Sequence, residues 1–185
     1  MRKMICVIVM FGVLGAGSIR AAENIEVRLS GSVLSPGDAG YKDIYGKSVF
    51  LPELKAGLAL SGPLYIWAGY GLVSKKGETA VLKYEAKSTQ HFISGGAGYR
   101  GAISDKLEWM AEAGLLVAAY REEAMGVTVT GSALGVVAGA GLGWRLGEKL
   151  FLAAEAGYLF SSDKVEGKTI KPGGFKAGLG LGIRF

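Results

Sequence analysis

The residue best suited to acid–base chemistry at neutral pH is His91, the only histidine in the 185-residue chain. Ser88 precedes it by three residues and Ser94 follows it by three. Side chains alternate between the two faces of a strand, so this odd spacing turns both serines away from the imidazole. A nucleophile must lie within hydrogen-bond reach of its base. The spacing therefore predicts no serine–histidine catalytic pair, and we expect no enzymatic activity.

Charged side chains are the second group that could do chemistry, and acidic and basic residues fall together on one face of alternating segments. A buried ion without a partner costs several kcal/mol, so we expect these charges to pair with each other. The deep carboxylates Glu112 and Glu155 have three candidate partners, namely Arg28, Lys55 and Lys176. The predicted interior charge network comprises Glu26, Arg28, Glu53, Lys55, Arg100, Glu112, Glu155 and Lys176, and Glu108, Arg145 and Arg184 share its face. The alternative is that this face lines a narrow polar pore.

Other kinds of site have no sequence signal. Pairs such as Gly139-Ala-Gly141 lie within a strand pattern and do not open a helix, so they predict no phosphate loop. No metal-ligand or cofactor motif is present. The formal charge of +5 falls to about +2 when residues 1–22 are removed, because three of the 21 basic residues lie there. We therefore expect no nucleic-acid partner.

The first 22 residues have the pattern of a secretory signal peptide. Arg2 and Lys3 form the positive head, and the apolar run Met4–Gly15 is too short to cross a bilayer comfortably. Cleavage is expected after Ala21 or Ala22. The only cysteine lies in this segment, so the remaining domain, residues 23–185, has no disulfide.

Eight segments of the remaining chain alternate apolar and polar residues, which is typical of strands. Long polar connections follow the odd-numbered segments and short turns follow the even-numbered ones. That asymmetry predicts an all-β, eight-stranded antiparallel up-and-down transmembrane β-barrel. The segments are Asn24–Leu34, Val49–Leu60, Leu64–Val73, Gln90–Arg100, Leu107–Tyr120, Ser132–Arg145, Leu150–Phe160 and Gly174–Phe185. The polar connections are Ser35–Lys47, Ser74–Thr89, Arg121–Gly131 and Ser161–Pro172.

Two local features stay open at this level. Pro52 cannot donate to a ladder, so the second strand either begins at Glu53 or is bulged there. The segment Leu64–Val73 is apolar or glycine on both sides, so its facing is undecided. Aromatic residues predict a girdle at each end of the strands. The first set is Tyr65, Trp67, Tyr99, Trp109, Trp144 and Phe185, and the second is Tyr120, Tyr158 and Phe160.

The competing fold is a soluble barrel with its apolar face turned inward, which would show the same alternation. The faces opposite the apolar ones carry much of the chain's charge and many of its 31 glycines. Such residues make a poor dry core but suit a narrow polar interior. The composition is 50% hydrophobic, yet no long apolar run follows residue 22. We therefore predict that the apolar faces meet lipid.

The last strand carries the most specific motif. Gly180, Ile183 and Phe185 match the glycine, apolar and terminal aromatic positions of the closing strand in bacterial outer-membrane proteins, while Gly178 stands where a polar residue is usual. On this basis the chain resembles the small OmpA/OmpX/OmpW-like outer-membrane β-barrel family, without a peptidoglycan-binding domain.

The resemblance implies an outer-membrane location, insertion by the barrel-assembly machinery, and contact with outer-membrane lipid and lipopolysaccharide. It implies a structural or surface-interaction role, with a narrow channel for small, including hydrophobic, solutes as the alternative. Some barrels of similar size modify lipid A, which is the least favoured alternative here. A monomer is expected.

Overall fold

The computed structural model describes residues 25–60, 62–79, 82–165 and 167–185. The predicted signal peptide, residues 1–22, lies outside these ranges, as does its cleavage site. Within them, no helix combines the length and hydropathy needed to cross a membrane. The elements are β1 (Ile25–Pro36), α1 (Ala39–Tyr45), β2 (Val49–Ala59), β3 (Leu64–Glu78), β4 (Glu85–Ala102), β5 (Leu107–Ala124), β6 (Val127–Arg145), β7 (Leu150–Ser161), β8 (Asp163–Val165), β9 (Lys168–Ile170) and β10 (Gly174–Arg184).

Eight of the strands form one closed antiparallel barrel, which confirms the predicted architecture. The order around the barrel is β1-β10-β7-β6-β5-β4-β3-β2, and β1 closes it by pairing with β10. At the seam Glu26 lies opposite Arg184, and the Phe185 amide donates to the Ile25 carbonyl at 2.9 Å. Closure leaves no free sheet edge around the wall, as a membrane-spanning sheet requires.

The three connections at residues 60–63, 103–106 and 146–149 define one end of the barrel, here called the short-turn end. The opposite end, here called the helix end, carries α1 and the small β8–β9 hairpin. Asp38 precedes α1, and one carboxylate oxygen accepts from the Tyr41 amide at 3.0 Å while the other accepts from the Lys171 amide at 3.1 Å. This cap both starts the helix and ties it to the segment after β9.

Two of the four connections predicted as long loops are mostly strand, so those predictions are wrong. Residues 74–78 and 85–89 continue β3 and β4, and almost all of 121–131 continues β5 and β6. The β5–β6 turn has only Met125 and Gly126, whose φ values of +55° and +76° fit a tight turn with two left-handed residues. Alternating Val and Thr supports the strand, but Met-Gly is a weak turn signal.

Beyond the barrel wall, β3 to β6 rise as a four-stranded sheet, here called the extension. The β2–β3 ladder stops at Glu53 opposite Gly71, and the β6–β7 ladder stops at Gly135 opposite Ser161. Residues 72–78 of β3 therefore pair only with β4, and residues 127–134 of β6 pair only with β5. The hairpins at this end are consequently fixed to the barrel rather than hanging from it as free loops.

Pro52 lies inside a continuous β2, so neither predicted alternative is correct. The strand begins at Val49 and pairs with β1 in unbroken register, with Pro52 opposite Gly31. Residues 49–52 have β1 as their only strand partner, because the ladder with β3 begins at Glu53. The missing N–H of proline is tolerated where one side of the strand has no ladder partner.

The outer wall is a continuous apolar surface. Large apolar side chains remain exposed on every barrel strand, which suits contact with hydrocarbon. The outward-facing residues on the four strands of the extension change to polar at Ser74, His91, Arg121 and Ser132. The exposed apolar residues include Leu29, Val33, Leu54, Ile66, Leu115, Leu134, Val136, Leu152, Leu179 and Leu181.

The structure decides the facing of β3, and both predicted girdles contain residues that are in fact buried. Tyr65 and Trp67 are only 3% and 5% exposed and point into the barrel. Tyr120 is also buried inside. The outer aromatics at the short-turn end are therefore Tyr99, Trp109, Trp144 and Phe185, and those toward the helix end are Phe50, Tyr70, Tyr158, Phe160 and Phe175.

Candidate functional site in the barrel interior

A four-residue ion cluster crosses the middle of the barrel. The Arg28 guanidinium lies 2.6 Å from the Glu112 carboxylate and 3.1 Å from that of Glu155. The Lys55 ammonium lies 2.6 Å from Glu112 and 3.0 Å from Glu155. Alternation turns all four side chains inward from β1, β2, β5 and β7. Each charge has two partners of opposite sign, which offsets the cost of removing it from water.

Further groups extend this cluster. The Tyr65 hydroxyl donates to Glu112 at 3.0 Å, and an Arg28 nitrogen lies 2.8 Å from the Met110 sulfur. The Lys176 ammonium pairs with Glu53, and both side chains are buried. Lys176 was a candidate partner for Glu112 and Glu155, but the structure gives it no ion pair with either among the described residues.

A second ion cluster closes the short-turn end. Glu26 lies 2.9 Å from both Arg100 and Arg184. Glu108 pairs with Arg184 and lies 3.6 Å from Arg145. Because several of these guanidiniums reach solvent, this end is wetter than the middle of the barrel.

Aromatic rings support two of these arginines. The Arg100 guanidinium lies 4.5 Å from the ring centre of Tyr65, and that of Arg184 lies 4.4 Å from the ring centre of Phe151. Such contacts hold the planar cations against the inner wall. The structure thus places all eight residues assigned to the interior network on the inner face, each in an ion pair.

An apolar layer fills the interior toward the helix end, and the sequence analysis did not predict it. It packs inward-facing side chains of the strands against α1, whose Tyr41 and Tyr45 are buried. Burial raises the pKa of both phenols, so they stay neutral at physiological pH. The sequence did contain a signal for this layer, because the inward-facing positions of the strands hold large apolar residues near the helix end. The strand residues of this layer include Leu34, Leu51, Val73, Phe92, Leu116, Val137 and Leu159.

The space left between these layers is small. A cavity beside Lys55, Glu112 and Glu155 has a volume of about 20 Å³, which suits a single water molecule. A wider groove of about 490 Å³ lies outside the barrel, between the tips of the extension near Lys87 and Val127. The cavity in the central ion cluster is therefore too small to hold an organic solute.

His91 lies outside this interior. Its ring is on the outer wall, where Nδ1 lies 2.7 Å from the Tyr70 hydroxyl. Ser88 and Ser94 face inward, as the alternation predicted. No group of three or more potential metal-binding side chains occurs in the described part of the chain.

The closing-strand residues lie at the barrel seam. Gly180 faces the interior opposite Ser30 of β1. Ile183 and Phe185 face outward, and the Phe185 side chain is 51% exposed at the short-turn end. Their positions follow from the unbroken register between β10 and β1.

Solved structures of three bacterial outer-membrane proteins are similar to this fold. Ail of Yersinia pestis is 17% identical with a TM-score of 0.60, and the match covers 88% of this chain and 99% of Ail. Neisserial surface protein A is 13% identical with a TM-score of 0.61, over 87% and 96% of the two chains. OprG from Pseudomonas aeruginosa is 11% identical with a TM-score of 0.70, over 89% and 97%. At these identities the likeness concerns the fold alone.

The sequence itself gives one family match. No curated protein matches the chain. The family model described as "Outer membrane protein beta-barrel domain" matches residues 8–185, which is nearly the whole sequence. Together with the closed eight-stranded wall and its apolar outer surface, this match shows that the chain belongs to the outer membrane protein β-barrel domain family and resides in the bacterial outer membrane.

Proposed function

We propose that this protein is a non-conducting outer-membrane barrel with a structural or surface-interaction role. The observation that carries the proposal is the packing of the interior, where the cavity beside the central ion cluster has a volume of about 20 Å³. An eight-stranded barrel has an interior that side chains can fill. Here ion pairs fill the short-turn end and the middle, and apolar side chains with α1 fill the rest.

Both layers oppose the passage of solutes. An ion entering the apolar layer would lose its hydration without finding polar partners, which costs several kcal/mol. A hydrophobic solute would be opposed at the central cluster, because its passage would separate paired charges and leave them without partners. A channel would therefore require α1 and the central cluster to move together.

Planar-bilayer recording of the refolded protein tests this proposal. We expect no steady current, because ion pairs, apolar side chains and α1 occupy the barrel interior. Heat-modifiable migration of the same sample in a gel is the control that shows folded protein. A steady open current from folded protein would contradict the proposal and favour the narrow-pore alternative.

We also propose that the protein has no catalytic activity. The support is geometric, since Ser88 and Ser94 face the interior while His91 faces outward and contacts Tyr70. Neither of these two serine hydroxyls is therefore placed to use His91 as a base. Hydrolysis of lipid A that disappears in His91→Ala would contradict this assignment.

The extension supports the surface-interaction part of the proposal. Its outward face is polar from Ser74, Thr89 and Arg121 onward, so the sheet stands beyond the apolar belt. The two-residue turn at Met125-Gly126 holds β5 and β6 together to their tips. A fixed sheet loses little conformational entropy when it binds a partner, unlike a mobile loop.

We further propose that the barrel-assembly machinery recognises three residues of the closing segment, namely Gly180, Ile183 and Phe185. Phe185→Ala is expected to lower the fraction of protein inserted into outer membranes, because an exposed terminal aromatic is lost from the end of β10. Phe175→Ala is the matched control, since Phe175 lies on the same face of β10 at 50% exposure against 51% for Phe185. Equal insertion of the two variants would contradict a special role for Phe185.

A further inference from the structure

A group of polar side chains converges on the outer wall where the extension leaves the apolar belt. Thr89 is at its centre. Ser74 of β3 and Arg121 of β5 lie directly opposite Thr89 on the two neighbouring strands. Lys87 and His91 flank it at two residues above and below on β4, and all five face outward. We propose that these five residues bind the phosphoryl group of an outer-leaflet lipid.

The position of the group relative to the membrane supports a lipid ligand. Immediately toward the short-turn end, the outward-facing residues are apolar and include Leu72, Ile93 and Val117. Immediately beyond Thr89 they are polar or charged. The group therefore lies at the level where hydrocarbon gives way to headgroups, and the helix end faces outward because the short turns are periplasmic in this family architecture.

Three of the donors have no side-chain partner among the described residues. Neither the Ser74 hydroxyl, the Thr89 hydroxyl nor the Lys87 ammonium makes a side-chain hydrogen bond or ion pair with any residue that the structure describes. Lys87 lies directly opposite Lys76 on β3 and directly opposite Glu123 on β5, so a like charge and an opposite charge flank it. A bound anion would satisfy the free donors.

His91 can contribute a fourth donor. When Tyr70 donates to Nδ1 across 2.7 Å, the neutral imidazole carries its proton on Nε2. Nε2 is then free to donate to a ligand outside the wall. The contact with Tyr70 fixes the ring in this orientation.

The reach between these groups fits one small anion. Directly opposite residues have Cβ atoms about 4.5–5.5 Å apart, and long side chains also reach diagonal neighbours. Residues two apart on a strand are separated by ~6.6 Å. The hydroxyls of Ser74 and Thr89 can therefore approach one phosphoryl group from below while Lys87 and Arg121 approach it from the sides.

Two carboxylates lie nearby and must be included in the balance of charge. Glu123 pairs with Arg121 and Glu85 pairs with Lys76 at 2.9 Å, all on exposed side chains. Exposed pairs of this kind contribute little free energy, so an incoming phosphoryl group can compete for the guanidinium. A third carboxylate, Glu78, lies directly opposite Glu85, farther from Thr89. Nearest to Thr89, two cations, Lys87 and Arg121, stand against one carboxylate, Glu123, which leaves a local positive excess.

The test measures lipid bound to the refolded protein in detergent micelles by native mass spectrometry. The probes are diphosphorylated lipid A, dephosphorylated lipid A, phosphatidylglycerol and inorganic phosphate. We expect diphosphorylated lipid A to bind, dephosphorylated lipid A to bind far more weakly, and inorganic phosphate not to compete at equal concentration. Binding of phosphatidylglycerol would support the same phosphoryl chemistry with a second lipid source.

The variant Lys87→Gln with Arg121→Gln should weaken binding of diphosphorylated lipid A by about tenfold for each charge-assisted hydrogen bond that it removes. The matched control is Lys106→Gln with Lys149→Gln, which removes two exposed cations at the short-turn end. We expect that control to bind as the unchanged protein does.

Several results would overturn the proposal. These are equal binding by the two double variants, equal binding of lipid A with and without phosphate, or full competition by inorganic phosphate. Both variants change exposed side chains, and heat-modifiable migration shows that each is folded. The proposal rests on the outer-membrane location and not on the absence of conductance, so a current in the planar bilayer would leave it standing.

Discussion

Glu112→Leu should lower the free energy of unfolding by about 3–5 kcal/mol, the range for removal of one member of a buried ion pair. Glu112 accepts from Arg28, Lys55 and Tyr65. Leucine would leave Lys55 with Glu155 alone and Arg28 with Glu155 and the more distant Glu26, at 3.9 Å. It would also leave the Tyr65 hydroxyl without its acceptor. The two positive charges would then repel each other inside a wall that excludes water.

The measurement is urea and thermal unfolding in one detergent, followed by tryptophan fluorescence. Glu148→Leu is the matched control, because Glu148 lies exposed in the turn between β6 and β7 and substitution there should change stability by less than about 0.5 kcal/mol. Lys176→Leu provides a second test, since it leaves Glu53 buried without its cation. Unchanged unfolding of both interior variants would refute the network as a source of stability.

Strand parity explains why much of this structure could be predicted from the sequence. A strand has a period of two, so one correct facing assigns every side chain along it. Glu53 and Lys55 on β2, and Glu112 on β5, therefore reach the interior as expected. Alternation does not determine how high along the barrel axis a side chain lies or which inward side chains it meets. Those depend on the stagger between strands. This is why Lys176 pairs with Glu53 when other partners were expected.

The apolar layer was missed because it needs information that alternation does not carry. Leu51 and Phe92 have the parity of the charged interior residues, but a strand pattern alone does not show that α1 will cover them. Asp38 could have indicated the helix, since Asp at an N-cap is a recognised start signal. The prediction of long loops at this end was wrong for a related reason. Polar composition was taken to indicate loops, although residues 127–130 alternate valine and threonine as a strand does.

The two interior layers together support the proposal that the barrel does not conduct. Ion pairs alone admit water, as the partly exposed arginines at the short-turn end show. Apolar packing alone would leave the inward charges of β1 and β2 without partners. With Leu34 and Leu51 above the central cluster, the cluster is shielded from the outer solvent, and its attractions act at low dielectric.

Gly174→Ala should also be strongly destabilising, by about 3 kcal/mol or more, because two penalties combine. Gly174 has a φ of +143°, which residues with a Cβ rarely adopt. An added Cβ would lie 2.7 Å from the Gly37 nitrogen and 2.9 Å from the Pro36 carbonyl carbon, and closer still to the Ser35 carbonyl oxygen. These are backbone atoms, so no rotamer change relieves the overlap.

The position of Gly174 at the start of the closing strand increases the expected loss of stability in Gly174→Ala. Gly174 starts β10, lies opposite Pro36 at the end of β1 and opposite Leu159 on β7, and so sets the register of the strand that closes the barrel. Gly147→Ala is the matched control, because Gly147 has open space around it and no left-handed φ. Urea unfolding should separate the two variants by at least the predicted difference. Equal stability would show that the seam between β1 and β10 can shift without cost, and the closure described above would then depend on the other seven ladders alone.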